Sequence, residues 1–194
     1  MSYYMDISVN TNRDNTVWFA MRVTYRREFR VKKILDEAGI ENYLPVHETL
    51  RVRNHRKVRE TVPVVRGLIF VRTSQTILQE IKSGLPFLQY IINKRTGDKI
   101  IVPDAQMSRF IAVTGTGNDR LLYFGGGELN LSKGTHVRVT GGEFEGYEGV
   151  FLKVKGARDR RVVIEIEGVI AVALATISPE LIEVIQEEDS AAKK

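Results

Sequence analysis

The chain of 194 residues has no cysteine, one tryptophan and three histidines. Without cysteine there can be no disulfide framework, no thiolate metal site and no cysteine nucleophile. The histidines, His47, His55 and His136, are scattered without metal-ligand spacing. His47 and Glu48 are neighbours that would point to opposite faces of a strand, so they do not make a catalytic dyad. No enzyme activity, metal or cofactor is therefore expected. No apolar run approaches the roughly 18 residues of a membrane span, and the opening MSYYMDISVNTNRDNT lacks a basic start followed by an apolar stretch. The expectation is a soluble, cytoplasmic chain with no membrane partner.

Charge is plentiful and unevenly placed. The formal net charge is +5, but residues 1–127 carry 20 Lys and Arg against 12 Asp and Glu, whereas residues 128–194 carry 9 against 12. Positive surface attracts a phosphate backbone by releasing counterions, so the first part is the candidate neighbour of nucleic acid. A merely solvated basic surface accounts for the same balance.

Hydrophobic periodicity divides the chain in the same region. TVWFAMRVT, residues 16–24, reads as a strand apolar enough to be central in a sheet. Val31, Ile34, Leu35 and Ala38 then repeat at helical spacing within 25–38, with Gly39 at the C-terminal cap position. Five other positions of that helix are basic: Arg26, Arg27, Arg30, Lys32 and Lys33. Residues 42–73 read as a strand, an exposed basic turn and the buried strand GLIFVRT. A short helix is expected over 74–83, two strands around RTGD, and a third helix capped by Asp104 and carrying Met107, Phe110 and Ile111. Two glycine clusters in TGTGNDRLLYFGGGELN, 114–130, then mark a linker. Five short strand-like runs follow: THVRVT, YEGVFLKVKG, DRRVVIEIEG, VIAVALAT and ELIEVI. The expected fold class is α+β, with a tail at 1–15, an α/β sandwich at 16–114, a linker at 115–130, a small all-β barrel at 131–186 and a tail at 187–194.

The glycine-rich stretch GTHVRVTGGEFEGYEGVFLKV, 134–154, could be a phosphate cradle or a turn. A phosphate loop needs a helix N-terminus after it, or a terminal Lys-Ser/Thr. Here Gly149 leads into a strand. The turn reading uses Gly141 and Gly142 at φ > 0, with Gly146 and Gly149 permitting a tight return.

That stretch resembles the KOW motif of NusG-type transcription elongation factors, through Gly134, Val137, Arg138, Val139, Gly142, Phe144, Gly146 and Gly149, followed by Val150 and Phe151. Thr135 and Glu143 depart from it, and ribosomal proteins also carry such motifs. VWFAMRVTYRREFRVKKILDEAGIENYLP, 17–45, resembles the opening of the NusG N-terminal domain, known as NGN. VPVVRGLIFVRT, 62–73, stands for its Phe-Pro-Gly-Tyr-Val-Phe-Val segment. The Leu-Pro and Val-Pro dipeptides are most similar to the UpxY-type antiterminators of capsular-polysaccharide operons, with RfaH more distant.

The resemblance implies an NGN domain followed by an SH3-like KOW barrel, and a protein that binds the clamp helices of the largest RNA polymerase subunit and suppresses pausing or termination. It implies polymerase-binding roles for Trp18, Phe19, Tyr25, Val64, Val65 and Leu68, with core packing as the competing role for each. Arg66 replaces the family's proline there. The basic residues Arg26, Arg27, Arg30, Arg51, Arg53, Arg56, Lys57 and Arg59 would lie near upstream or non-template DNA, or else form a solvated basic hairpin. Phe144 and Tyr147 match the KOW-loop aromatics that contact a ribosomal protein or the termination factor Rho. Glu167 and Val169 stand where the family's second contact element has an aromatic and an arginine. A KOW-containing ribosomal or RNA-binding protein is the alternative, which a basic barrel would favour.

Overall fold

The computed structural model describes residues 16–185 apart from 54, 127, 175 and 176; the expected tails at 1–15 and 187–194 thus lie outside the described residues. The fold is mixed α/β and mostly strand, with three α-helices among the described residues. Two compact units divide between Met107 and Ser108.

In the first unit, β1 (Val17–Val23) is central. It pairs antiparallel with β5 (Leu68–Thr73) on one side, and on the other with β6 (Leu88–Tyr90) and β7 (Ile101–Val102) placed end to end. β2 (Glu41–Tyr43) closes the far edge against β5. Helices α1 (Glu28–Glu37) and α2 (Gln75–Gly84) bring Val31, Leu35, Leu78 and Ile81 onto the face that carries Phe19, Met21, Ile69 and Val71. The Ser74 hydroxyl caps α2 by accepting from the Ile77 N–H at 3.3 Å. Trp18, Ala20, Leu68 and Phe70 point to the opposite face and are also buried. A strand buried on both sides has no need of a polar face, which is why its sequence is continuously apolar rather than alternating.

The expected two-strand hairpin at 42–73 is longer than one sheet can hold. β3 (Val46–Arg53) continues β2 beyond Leu44 and Pro45, and β4 (Arg56–Pro63) returns toward β5 through Val64–Gly67. The Val64 N–H donates to the Pro45 carbonyl at 3.0 Å and carries the ladder across the bend. β3 and β4 form a separate two-stranded ribbon.

The first helix begins three residues later than the apolar spacing suggests. Tyr25 and Arg26 have φ of 61° and 55°, left-handed values that end β1 in a tight turn and forbid a helix start before Arg27. Each costs an L-residue roughly 1–2 kcal/mol, and neither is the glycine that would avoid it.

The third helix, α3 (Asp104–Thr114), crosses the division between units. The second unit is an antiparallel six-stranded sheet in the order β13-β9-β10-β11-β12-β8. Its strands are β8 (Leu122–Gly125), β9 (Thr135–Val139), β10 (Glu148–Lys153), β11 (Arg160–Ile166), β12 (Ile170–Ala173) and β13 (Ile182–Val184). All five expected strands are present. The segment expected as linker adds β8, because Leu122 and Phe124 lie opposite Ala173 and Ala171 and fill the space those small side chains leave. β8 also covers the edge of the fully buried strand β12, which would otherwise invite pairing with another chain. The Arg161 guanidinium fastens the approach to β8, donating to the carbonyls of Arg120 and Leu174 at 2.8 and 2.9 Å.

The glycines of the 134–154 stretch divide their work differently from the expectation. Gly142 and Gly146 have φ of 84° and 80°, whereas Gly141 and Gly149 are not in the left-handed region. Gly149 lies within β10, where a Cβ would meet the carbonyl of Val163 on the neighbouring strand.

Gly67 has both constraints at once: φ is 74°, and a Cβ would lie 2.8 Å from the Val23 carbonyl oxygen. Gly97, with φ of 77°, has open space around it. Gly67→Ala is expected to lose about 2 kcal/mol or more and Gly97→Ala about 1 kcal/mol in urea unfolding at unchanged m-value. Arg26→Gly, which removes left-handed strain but loosens the unfolded chain, is expected to gain about 0.5 kcal/mol.

On β11, burial and then the nearby Glu167 carboxylate push the Glu165 carboxyl above the usual range. A carboxyl whose folded-state pKa is raised binds its proton more tightly in the folded state. Its contribution is therefore fully present below the unfolded value and is lost as pH rises through the folded one. Glu165→Gln should be more stable than the parent at neutral pH and should flatten the fall in stability above the ordinary glutamate range, as measured by denaturation across pH.

Candidate functional site

The left-handed turn after β1 is held from three sides. The Thr24 N–H donates to the Phe87 carbonyl at 3.0 Å, and the Val23 N–H donates to the Gly67 carbonyl at 2.9 Å. Glu28, in the first turn of α1, is only 3% exposed, and its Oε1 accepts from the Gly67 N–H at 2.7 Å. The ends of β1 and β6 and the start of β5 are thereby fixed around one turn.

What the turn presents is an aromatic among arginines. Tyr25 is 81% exposed. The Arg27 guanidinium lies 5.4 Å from the Tyr25 ring centroid and 4.8 Å from that of Phe87, and Arg30 lies 5.6 Å from Phe87. Such stacking orients guanidinium groups without neutralising them. Val64 and Val65 are half-buried and Arg66 is exposed, in the bend directly before Gly67. An exposed ring, held in place by its backbone and flanked by cations and aliphatic side chains, can anchor a macromolecular surface by excluding water around one aromatic contact.

Of the residues expected to bind polymerase, Tyr25, Val64 and Val65 are accessible. Trp18, Phe19 and Leu68, at 4%, 1% and 2% exposure, are buried in core packing, the competing role given for them, because β1 and β5 are the inner strands of the sheet and are covered on both faces. Phe19 packs edge to face on Tyr90, with ring centroids 5.7 Å apart.

All eight basic residues singled out above are exposed, but they form two groups. Arg26, Arg27 and Arg30 border the Tyr25 turn. Arg51, Arg53, Arg56, Lys57 and Arg59 lie on the β3–β4 ribbon. Some are already paired: Arg51 and Arg53 with Glu60 at 3.0 and 3.6 Å, and Arg59 with Glu48 at 3.5 Å.

In the second unit Phe144 is buried rather than presented at the loop surface. It is 4% exposed, its ring turned inward, while Tyr147 is half-buried with its ring 6.3 Å from that of Phe144. The loop is tightened by the Gly146 N–H donating to the Val139 carbonyl and the Val139 N–H to that of Tyr147, both at 2.8 Å. A phenylalanine at the tip of so tight a loop is drawn inward by the apolar area it buries.

Glu28, Gly67 and Phe87 are site residues that the sequence reading passed over. The available signals were faint: an acid in the first turn of a helix entered through two arginines, and a glycine opening a buried strand. Among the described residues, no group of three or more His, Asp or Glu is placed to hold a metal ion.

Comparison with known proteins bears on the first unit. Residues 16–111 match the family model described as NusG, transcription termination factor nusG. No curated protein sequence matches the chain. Among solved structures, the chain is similar to one described as "Domain interaction in Thermotoga maritima NusG", with 18% identity over 89% of this chain and 98% of that one and a TM-score of 0.47. It is also similar to one described as "Crystal Structure of MjSpt4:Spt5 complex conformation B", with 17% identity over 88% and 97% and a TM-score of 0.25. The sheet, the buried glutamate and the strained turn thus all lie within the residues, 16–111, that match the NusG family model.

Proposed function

We propose that the chain is a non-enzymatic transcription elongation or antitermination factor that binds RNA polymerase through its first unit and suppresses pausing or termination at particular operons, in the manner of the UpxY-type antiterminators. The observation that carries this reading is the exposure of Tyr25 in a strained, firmly held turn within the residues that match the NusG family model. Strain of this kind persists where the surroundings over-determine it, and it gathers at functional sites. Because the turn is ordered before any partner arrives, little conformational entropy is lost on binding.

Tyr25, with Val64 and Val65 beside Gly67, supplies the apolar anchor for the clamp helices of the largest polymerase subunit. Trp18, Phe19 and Leu68 support that anchor from within the sheet. Arg26, Arg27 and Arg30, and the ribbon cations Arg56 and Lys57, face upstream or non-template DNA, where their contribution falls as salt rises. The second unit acts as a KOW module toward a ribosomal protein or Rho. Tyr147 is its accessible aromatic and Phe144 shapes the loop from inside. The factor works in the cytoplasm and needs no cofactor.

The test is retention of the full chain on immobilised core RNA polymerase. The parent should be retained, and Tyr25→Ala combined with Val65→Arg should weaken retention by about tenfold or more without changing the circular dichroism spectrum. If the parent is not retained, the polymerase reading fails. If it then binds RNA, the ribosomal or RNA-binding alternative takes its place.

A further inference from the structure

The β3–β4 ribbon is an arm without a core. At about 3.3 Å per residue its strands extend about 26 Å. Two-stranded ribbons are marginal in water on their own, yet this one leaves Leu50 64% and Val52 69% exposed. Alternation sorts the side chains of β3 with care. Val46, Glu48, Leu50 and Val52 lie on one face, and His47, Thr49, Arg51 and Arg53 on the other. Arg51 and Arg53 share the single carboxylate of Glu60, and their side chains stay 54% and 70% exposed. Among the described residues β3 pairs only with β4, so its outer edge of N–H and C=O groups has no partner strand.

We propose that this outer edge of β3 is a docking site for an extended segment of a partner protein in which acidic and apolar residues alternate, added to the ribbon as a third strand. A strand laid along β3 sets every second side chain beside Val46, Leu50 and Val52, and the ones between beside Arg51 and Arg53. An acidic and apolar period of two satisfies both faces at once, while the main-chain ladder supplies affinity independent of sequence. A second copy of β3 does not fit, because the face that carries Arg51 and Arg53 has no carboxylate of its own on that strand. A DNA duplex would engage the arginines but leave Leu50, Val52 and the open ladder unused. The edge of β4 is a poorer template: Pro63 has no N–H to donate, and Arg and Lys occur on both of its faces. The site rests on the geometry of the arm and stands or falls separately from polymerase binding.

The test uses the full chain and a fluorescent peptide as long as β3, built of alternating glutamate and valine. Three probes accompany it: a peptide of the same composition with its glutamates in one block, an alternating peptide N-methylated at every second amide, and a short DNA duplex. The alternating peptide is expected to bind and to slow amide exchange along β3 but not along β4. The block and N-methylated peptides should bind at least about tenfold more weakly. Leu50→Thr with Val52→Thr, and separately Arg51→Gln with Arg53→Gln, should each weaken binding at least about fivefold; both pairs are exposed, so the sheet stays intact. Failure of the alternating peptide to bind would overturn the proposal. So would equal binding of the block peptide, which would mean charge alone, or displacement of the alternating peptide from β3 by the duplex.

Discussion

The Glu28 carboxylate accepting from the Gly67 main-chain N–H constrains everything around it. Hydrogen bonds to a charged group contribute about 1.5–3 kcal/mol, and a buried donor left without one costs about as much again. This bond joins the first turn of α1 to the start of β5. On its other side Gly67 meets Val23 so closely that only a residue without a Cβ fits. With β1, α1 and β5 drawn to one point, the chain between Val23 and Glu28 has room only for a tight left-handed turn. Tyr25 is exposed because the backbone has nowhere else to put it.

The sheet supplies the rigidity that this turn relies on. β1 and β5 are buried on both faces, and burying each large aliphatic or aromatic side chain contributes about 1.5–3 kcal/mol, so together they outweigh two strained residues. The same burial places Trp18 and Leu68 inside the sheet packing. The contrast within residues 41–73 is instructive: the part that reaches the core carries the buried apolar run Leu68–Val71, whereas β3 and β4 beyond Pro45 alternate and carry Arg51, Arg53, Arg56, Lys57 and Arg59. One hairpin thus joins the core at its base and leaves its end exposed.

Much of this was legible from the residues. The strands, the amphipathic helices and the Gly39 cap lie where local chemistry puts them. Three things were not. Tyr25 and Arg26 adopt a glycine-like backbone with no glycine to announce it, in a turn whose flanking residues Val23 and Glu28 are both bonded to the distant Gly67. LLYFG looked like an island in a linker, because β8 is held by Ala171 and Ala173 rather than by any strong pattern of its own. For Trp18, Phe19, Leu68 and Phe144, an aromatic or aliphatic residue in a motif reads the same whether it faces out or in; only the sheet order and the loop closure decide.

The central claim is that the Tyr25 turn meets polymerase directly. A photoreactive phenylalanine analogue in place of Tyr25, irradiated in a complete elongation complex, tests it at the level of one side chain. The account predicts a crosslink to the largest polymerase subunit. A crosslink found only on nucleic acid, or on another subunit, would contradict it.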